Sequence, residues 1–351
     1  MSAIAGAVAL CAGVTMSSRP TIKEVSKIAG VSFKTVSRVL NNEKHVSEAT
    51  RRKVEEAVAT LNFRPSHAAR TLAGRRSFQV ALIYDNPSPY YVYHVQTGAQ
   101  ERCVELGFRL LHQPCDSKSD DLMPSVTALI DEAHLDGVII SPPVSDAMGL
   151  IDELERRNIS HVRIAPGIRR DAGLTVSIDD IAAGREMTEY LLSLGHRAIA
   201  FIKGPSNHIS SDERLQGYRA ALDAHGVAFD PALVVQGDYS FVSGRKAAQA
   251  LLDLPTPPTA IFAGNDDMAA GALAVAHERD IAVPAQLSIA GFDDTDLARA
   301  VWPPLTTIHQ PVRDLAYAAA NLLLGGESKS EQITLEHTLQ KRASTGPAPK
   351  R

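Results

Sequence analysis

Between residues 78 and 340 the sequence alternates short apolar runs with longer amphipathic stretches, and this constrains the fold more than any other feature. The runs are VALIYD (80–85), LDGVIIS (135–141), HVRIA (161–165), AIAFIKG (198–204), AIFAG (260–264) and LSIAGFDD (287–294). Stretches 91–106, 120–133, 181–195, 212–226, 241–254 and 266–280 between them repeat apolar residues at helical spacing. Such alternation demands parallel sheets covered by helices on both faces. A span of about 260 residues suits two such subdomains better than one. Ligands in open parallel sheets sit beyond the carboxyl ends of strands, so residues just after each run are the binding candidates. Tyr90 and Tyr91 follow the first run and could stack on a sugar face or a base, or simply pack at a helix start. Tyr239 and Phe241 offer a second aromatic wall. No residue-level repeat and no GxGxxG or GxxxxGK[ST] phosphate loop is present.

The charge is divided. Residues 17–77 hold 13 Lys/Arg against 5 Asp/Glu, a net of +8, whereas residues 78–351 hold 23 against 35, a net of −12. A basic head on an acidic body is the electrostatic footprint of a nucleic-acid-binding module joined to something else.

The head reads as three short helices. Thr21-Ile22-Lys23-Glu24 is a capping box, Val25, Ile28 and Ala29 supply an apolar face, and Gly30 stops the helix. Ser32 caps a second helix, 33–40, with Val36 and Val39/Leu40 inward. Ser47 caps a third, 48–61, where Val54, Val58 and Leu61 close a small core. Two helices separated by a tight turn form a helix-turn-helix, whose second helix reads base edges in the major groove. Its polar face carries Phe33, Lys34, Thr35, Ser37 and Arg38. Lys34 and Arg38 can donate to guanine, and Phe33 can meet a thymine methyl. Pro65 and Gly74 then bracket a further helical turn that is too short to be stable alone.

AGVSFKTVSRVLN and RPSHAARTLAG resemble the lactose-repressor/galactose-repressor (LacI/GalR) family of bacterial transcription factors, over almost the whole span from Arg19 to about Leu339. The resemblance implies that 64–77 is a hinge helix folding on operator DNA. Leu72 would wedge into the minor groove and Ala69 would let two hinge helices of a dimer approach. Thr21 and Ser32 join the DNA-facing set. For the body it implies a two-lobed, periplasmic-binding-protein-like (type I) α/β effector domain whose chain crosses three times between lobes. The first lobe is expected at about 78–178 plus 310–340, the second at 179–309. Arg214 stands in the family's R-x-x-G segment and Asp266 in its N-D-x-M-A segment, so both are expected to bind ligand oxygens. Gln310, in the crossover, is expected to reach the cleft. Asp293-Asp294 reads as a turn after a strand rather than a catalytic dyad.

The expected fold is thus an N-terminal all-α helix-turn-helix domain (19–63) with a hinge helix (64–77), followed by the two-lobed effector and dimerisation domain (78–340). Residues 1–18 are apolar without Lys or Arg, lack the positive start of a secretory signal, and read as a non-native or disordered extension with Met16 the initiator. Residues 341–351, polar with two prolines, read as a disordered tail. Three cysteines without a CxxC pair argue against a disulfide framework or zinc site and fit a reducing cytoplasm. The expected function is a cytoplasmic, homodimeric repressor on a pseudo-palindromic operator, controlled by a small sugar, with a purine or nucleoside as the alternative effector. No cofactor, metal or membrane is expected. A transport solute-binding protein would need an export signal and has no use for a basic head. An enzyme is unsupported by any Ser-His-Asp order or metal-ligand cluster.

Overall fold

The computed structural model describes residues 20–40, 45–63, 76–325 and 331–350. The chain divides after Arg76 into two compact units. In the first, α1 (Ile22–Ala29), α2 (Phe33–Leu40) and α3 (Glu48–Leu61) enclose a core of Val25, Ala29, Val36, Val39, Val54, Ala57 and Phe63. The α1 start is held by the Glu24 carboxylate, which accepts from the Thr21 amide at 2.6 Å and its hydroxyl at 3.0 Å. Gly30, at φ +64°, ends α1 in the left-handed conformation that glycine tolerates best. Ser32 Oγ accepts from Thr35 N at 3.1 Å, and Ser47 Oγ from Thr50 N at 3.3 Å, so both expected caps form. Ile28 departs from expectation: it is 54% exposed. The inward stripe of α1 is Ile22, Val25 and Ala29, and Ile28 lies on its flank. The 64–77 helix, with Ala69 and Leu72, falls almost wholly outside the described residues.

The second unit contains two six-stranded sheets. Lobe 1 orders its strands β2 (Arg109–Pro114), β1 (Gln79–Tyr84), β3 (Gly137–Ile140), β4 (His161–Ile164), β5 (Leu174–Ser177) and β11 (Glu331–Thr334), all parallel. Lobe 2 orders β7 (Val234–Gln236), β6 (Ile199–Lys203), β8 (Ala260–Ala263), β9 (Ser288–Asp293) and β10 (Thr306–His309) in parallel, and β12 (Thr338–Gln340) closes the edge antiparallel to β10. Both faces of each sheet are covered, and the sequence shows why. Along β1, Val80 and Leu82 enter one core while Ala81 and Ile83 enter another. In lobe 1, α4 (Pro89–Glu105) and α12 (Val312–Gly325) share one face, and α5 (Leu122–Ala133) and α6 (Met148–Arg156) take the other. In lobe 2, α7 (Asp180–Ser193) and α8 (Ile209–Ala224) oppose α9 (Phe241–Leu252) and α10 (Asp266–Glu278). A short α11 (Asp296–Ala300) precedes β10.

The chain passes from lobe 1 to lobe 2 after β5, back after β10 and again before β12. The third passage corrects the expected lobe boundary, because β12 pairs with β10 and 338–340 therefore belong to lobe 2. The expected disordered tail is corrected as well. Ser344 is fully buried and Thr345 nearly so. Ser344 Oγ donates to Ile289 O at 2.6 Å and accepts from Thr306 N at 2.8 Å, and Gly346 O meets His196 Nε2 at 3.0 Å. Polar residues persist in a core when their hydrogen bonds are satisfied, and these are.

Candidate functional site

In the first unit α2 presents two opposite faces. Val36 and Val39 are buried, whereas Ser32, Lys34 and Arg38 are exposed and Phe33 is 64% exposed. Among the described residues, the Phe33 ring takes no part in the α1–α3 core. Thr35 and Ser37 are half-buried beside this face, and Thr21 is exposed at the start of α1. Phe33, Lys34 and Arg38 thus occupy the outward side of the second helix of the pair.

In the second unit a cleft with about 390 Å³ of empty space, part of it open to solvent, lies where the carboxyl ends of both sheets meet. Asn86, Ser88 and Tyr91 follow β1, Pro142 follows β3 and Ala165 follows β4. From lobe 2 come Asp180 at the start of α7, and His208, Ser210 and Arg214 after β6. Tyr239 follows β7, Asn265 follows β8, Asp293 ends β9 and Gln310 follows β10.

Arg214 is the anchor. Helix α8 carries it close to α7 because Gly217 faces Ile181 O, where an added Cβ would sit only 2.1 Å away. The R-x-x-G spacing therefore has a packing cause. Nε donates to Asp180 Oδ1 at 2.8 Å, Nη1 to Gly264 O at 2.6 Å and Nη2 to Gln310 Oε1 at 3.4 Å. The guanidinium lies 3.5 Å over the Phe292 ring. Burial works against its charge, but Tyr239, Asp180 and Asp293 outweigh it and hold the group above its usual range. Among the described residues, three of the five N–H groups of this arginine are so engaged.

Around Arg214 stand polar groups with open valences. The Asp293 carboxyl accepts no hydrogen bond from any described residue, and burial raises it well above the usual carboxylate range. His208 meets the Tyr239 ring edge-on at 5.2 Å. Its imidazole is held down to about 4, first by burial and then by Arg214, so it is neutral near pH 7. The Tyr239 hydroxyl is buried without a hydrogen-bond partner at normal geometry. Tyr91 is buried, and its hydroxyl is raised by burial and then by Asp293. An unpaired carboxyl, a neutral imidazole, a phenol and guanidinium donors suit a small ligand rich in hydroxyl or carbonyl groups.

Among the described residues, three polar links cross between the lobes. Ser88 Oγ donates to Asp267 Oδ2 at 2.6 Å, Asn207 Nδ2 donates to Ser117 Oγ at 3.2 Å, and Arg170 pairs with Glu213.

Four of the seven residues expected in the cleft line it: Tyr91, Arg214, Tyr239 and Gln310. Three are placed elsewhere. Tyr90 is half-exposed beside the cleft-lining Tyr91, since adjacent helical residues face different ways. Phe241 opens α9 and is 42% exposed. Asp266 is fully buried and turned inward, where it accepts from Thr307 Oγ1 at 2.7 Å, Thr295 N at 2.8 Å and Thr295 Oγ1 at 3.1 Å. Two other aspartates, Asp180 and Asp293, line the cleft; Asp293, expected only as part of a turn, ends β9, while His208, Asn265 and Asn86 follow strands, so the signal was available.

Residues 21–66 match the family described as bacterial regulatory proteins, lacI family, and residues 188–345 match the periplasmic binding protein-like domain. The HTH-type transcriptional regulator DegA of Bacillus subtilis (strain 168) is 36% identical over 340 residues, spanning 94% of this chain and 99% of the relative. Among solved structures, a transcriptional regulator CelR–cellobiose complex is 32% identical with a TM-score of 0.71, covering 93% of this chain and 100% of that one. A lac repressor dimer bound to operator and the anti-inducer ONPF is 29% identical with a TM-score of 0.77, covering 93% and 99%.

Proposed function

The chain belongs to the lacI family of bacterial regulatory proteins and is a helix-turn-helix transcriptional regulator, and on that premise we propose that it represses a carbohydrate-utilisation operon under control of a small sugar. The observation that carries the effector half is the cleft chemistry: Arg214 donors beside the unpartnered Asp293 carboxyl, with Tyr91 and Tyr239 as aromatic walls. Sugar hydroxyls donate to such a carboxyl and accept from such a guanidinium, while a ring face stacks on tyrosine. Gln310 positions the open edge of Arg214. The relative crystallised with cellobiose supports a sugar here.

On the DNA side, Phe33, Lys34 and Arg38 enter the major groove, and Thr21, Ser32, Thr35 and Ser37 supply hydroxyls around them. Ala69 and Leu72, outside the described residues, keep the minor-groove role that the family resemblance gives them. The protein acts in the cytoplasm as a homodimer on a pseudo-palindrome, as the lac repressor dimer bound to operator supports. Because coupling is reciprocal, operator DNA changes effector affinity by the same factor that effector changes operator affinity.

A thermal-shift screen of sugars and purine nucleosides tests this. A true ligand at 100 times its Kd adds about 2.7 kcal/mol to stability. A shift with a sugar supports the proposal, and a shift with purines alone replaces the sugar by a nucleobase. On DNA, Lys34→Ala and Arg38→Ala should each cost about 1–3 kcal/mol of specific binding. Leu72→Ala should weaken operator binding sharply and leave sugar affinity of the DNA-free protein unchanged.

A further inference from the structure

Asp293 reaches the cleft from a backbone that an aspartate does not adopt by itself. Its φ is +106° and that of Asp294 is +56°. Non-glycine residues are uncommon at positive φ and persist there where their surroundings hold them. The surroundings here are two buried carboxylates, neither of which lines the cleft.

Asp294, its side chain 3% exposed, accepts from three elements. Arg299 Nη2 reaches Oδ2 at 2.9 Å from α11, His309 Nδ1 reaches the same oxygen at 3.1 Å from the end of β10, and Arg342 pairs with Oδ1 from the tail. Asp266 grips the other side through Thr295 N at 2.8 Å and through Thr307 Oγ1 at 2.7 Å. The same Thr307 hydroxyl accepts from Asp294 N at 3.4 Å, and the Asp293 carbonyl accepts from Gln310 N at 3.4 Å. The turn is therefore fastened to α10, α11, β10 and the tail at once, and Gln310 is both a cleft residue and the point where the chain crosses to lobe 1.

We infer that Asp294, seconded by Asp266, is a positioning residue: its three-way clamp fixes the turn that points Asp293 into the cleft and ties it to the crossover strand. This rests on the reading of the cleft as an effector site. Both Asp294 oxygens receive cationic or N–H donors, so an amide in its place must set its NH2 against one of them. Asp294→Asn therefore breaks the clamp at almost unchanged volume. The carboxyl itself lies below its usual range, because bonds from His309 and Arg342 overcome the opposing effect of burial, so it is anionic at neutral pH.

Crystal structures of the full chain and its Asp294→Asn variant test the clamp without any ligand. The expected result is an Asp293 backbone back at negative φ, its carboxylate out of the cleft, and both sheets unchanged. An Asp293 still near +106° overturns the inference. If Asp294→Asn does not fold, Arg299→Ala and His309→Ala each remove one donor from side chains 60% and 42% exposed, and an undisturbed Asp293 in both overturns it equally. Calorimetry with cellobiose and D-ribose reads the consequence. Asp294→Asn should weaken binding about tenfold or more, with no further loss when added to Asp293→Asn; an equal loss in both backgrounds marks a merely structural role. If neither sugar binds the native chain, the sugar reading fails while the crystallographic comparison still decides the clamp.

Discussion

The two lobes are built alike but face the cleft differently. Lobe 1 offers Asn86, Ser88, Tyr91, Pro142 and Ala165, none of them charged. Lobe 2 offers Arg214, Asp180, Asp293 and His208. Both contribute residues after parallel strands, so topology alone does not explain the asymmetry. The difference lies in support. Lobe 2 has a second layer of buried carboxylates and threonines behind its lining, which compensates buried charge and holds strained backbone. Behind the lobe 1 lining lie apolar cores and the buried Arg163, whose guanidinium donates to the carbonyls of Ile168 and Ala172 and does not line the cleft. The charged groups that line the cleft therefore belong to lobe 2, and lobe 1 adds Tyr91 and neutral groups.

The asymmetry can be broken most forcefully at Arg214. Arg214→Ala leaves Asp180, 2% exposed, without its partner and should cost about 3–5 kcal/mol in urea-induced unfolding. A cost below about 1 kcal/mol would remove the buried pair as the centre of the site. A second test uses pH. The Asp266 carboxyl is pushed up to about 7 by burial, so between about pH 4 and pH 7 the folded state keeps a proton that the unfolded state has lost. Stability is then greatest at the acid end of that window and falls as pH rises through it, on the order of a few kcal/mol. His208, held down to about 4, contributes the opposite slope in both proteins, so the native chain minus Asp266→Asn difference in melting temperature should fall as pH rises from about 4 to 7; parallel profiles would discard Asp266 as its source.

Lobe 1 should give smaller effects. Ser88→Ala removes the bond to Asp267 between the lobes and leaves that carboxylate short of a donor. A loss of about 1–3 kcal/mol is expected, together with a larger radius of gyration in X-ray scattering. An unchanged radius would mean that the other two interlobe links suffice. Tyr91→Phe should alter stability by at most about 1 kcal/mol and cleft affinity by less than tenfold. An effect matching that of Arg214→Ala would erase the distinction between the lobes.

Legibility followed burial pattern and length. The six long apolar runs became β1, β3, β4, β6, β8 and β9, each within about two residues of the expected bounds. The strands not anticipated were β2, β5, β7, β11 and β12, and β10 was read only as part of the crossover. At the sheet edges β7 and β11 have no fully buried residue, so no apolar signal marks them and pairing with a neighbour makes them strands. The tail was misread for a related reason. Its polarity resembles disorder until His196, Ser288, Thr306 and Ile289 are seen to satisfy it.

Local periodicity and cap chemistry by themselves determined a helix-turn-helix head, a doubly covered α/β body and the strand ends where a cleft must lie. Those signals act over a few residues, and the sequence carries them directly. Which aspartate faces the cleft was decided only by tertiary structure. Asp266 and Asp293 both stand at the ends of apolar runs, yet one turns inward to Thr307, 41 residues away. The other is turned outward by a backbone whose neighbour, Asp294, is clamped to Arg342 across 48 residues. A side chain's direction at a strand end depends on one backbone angle. Contacts that distant in sequence can hold that angle where local preference would not.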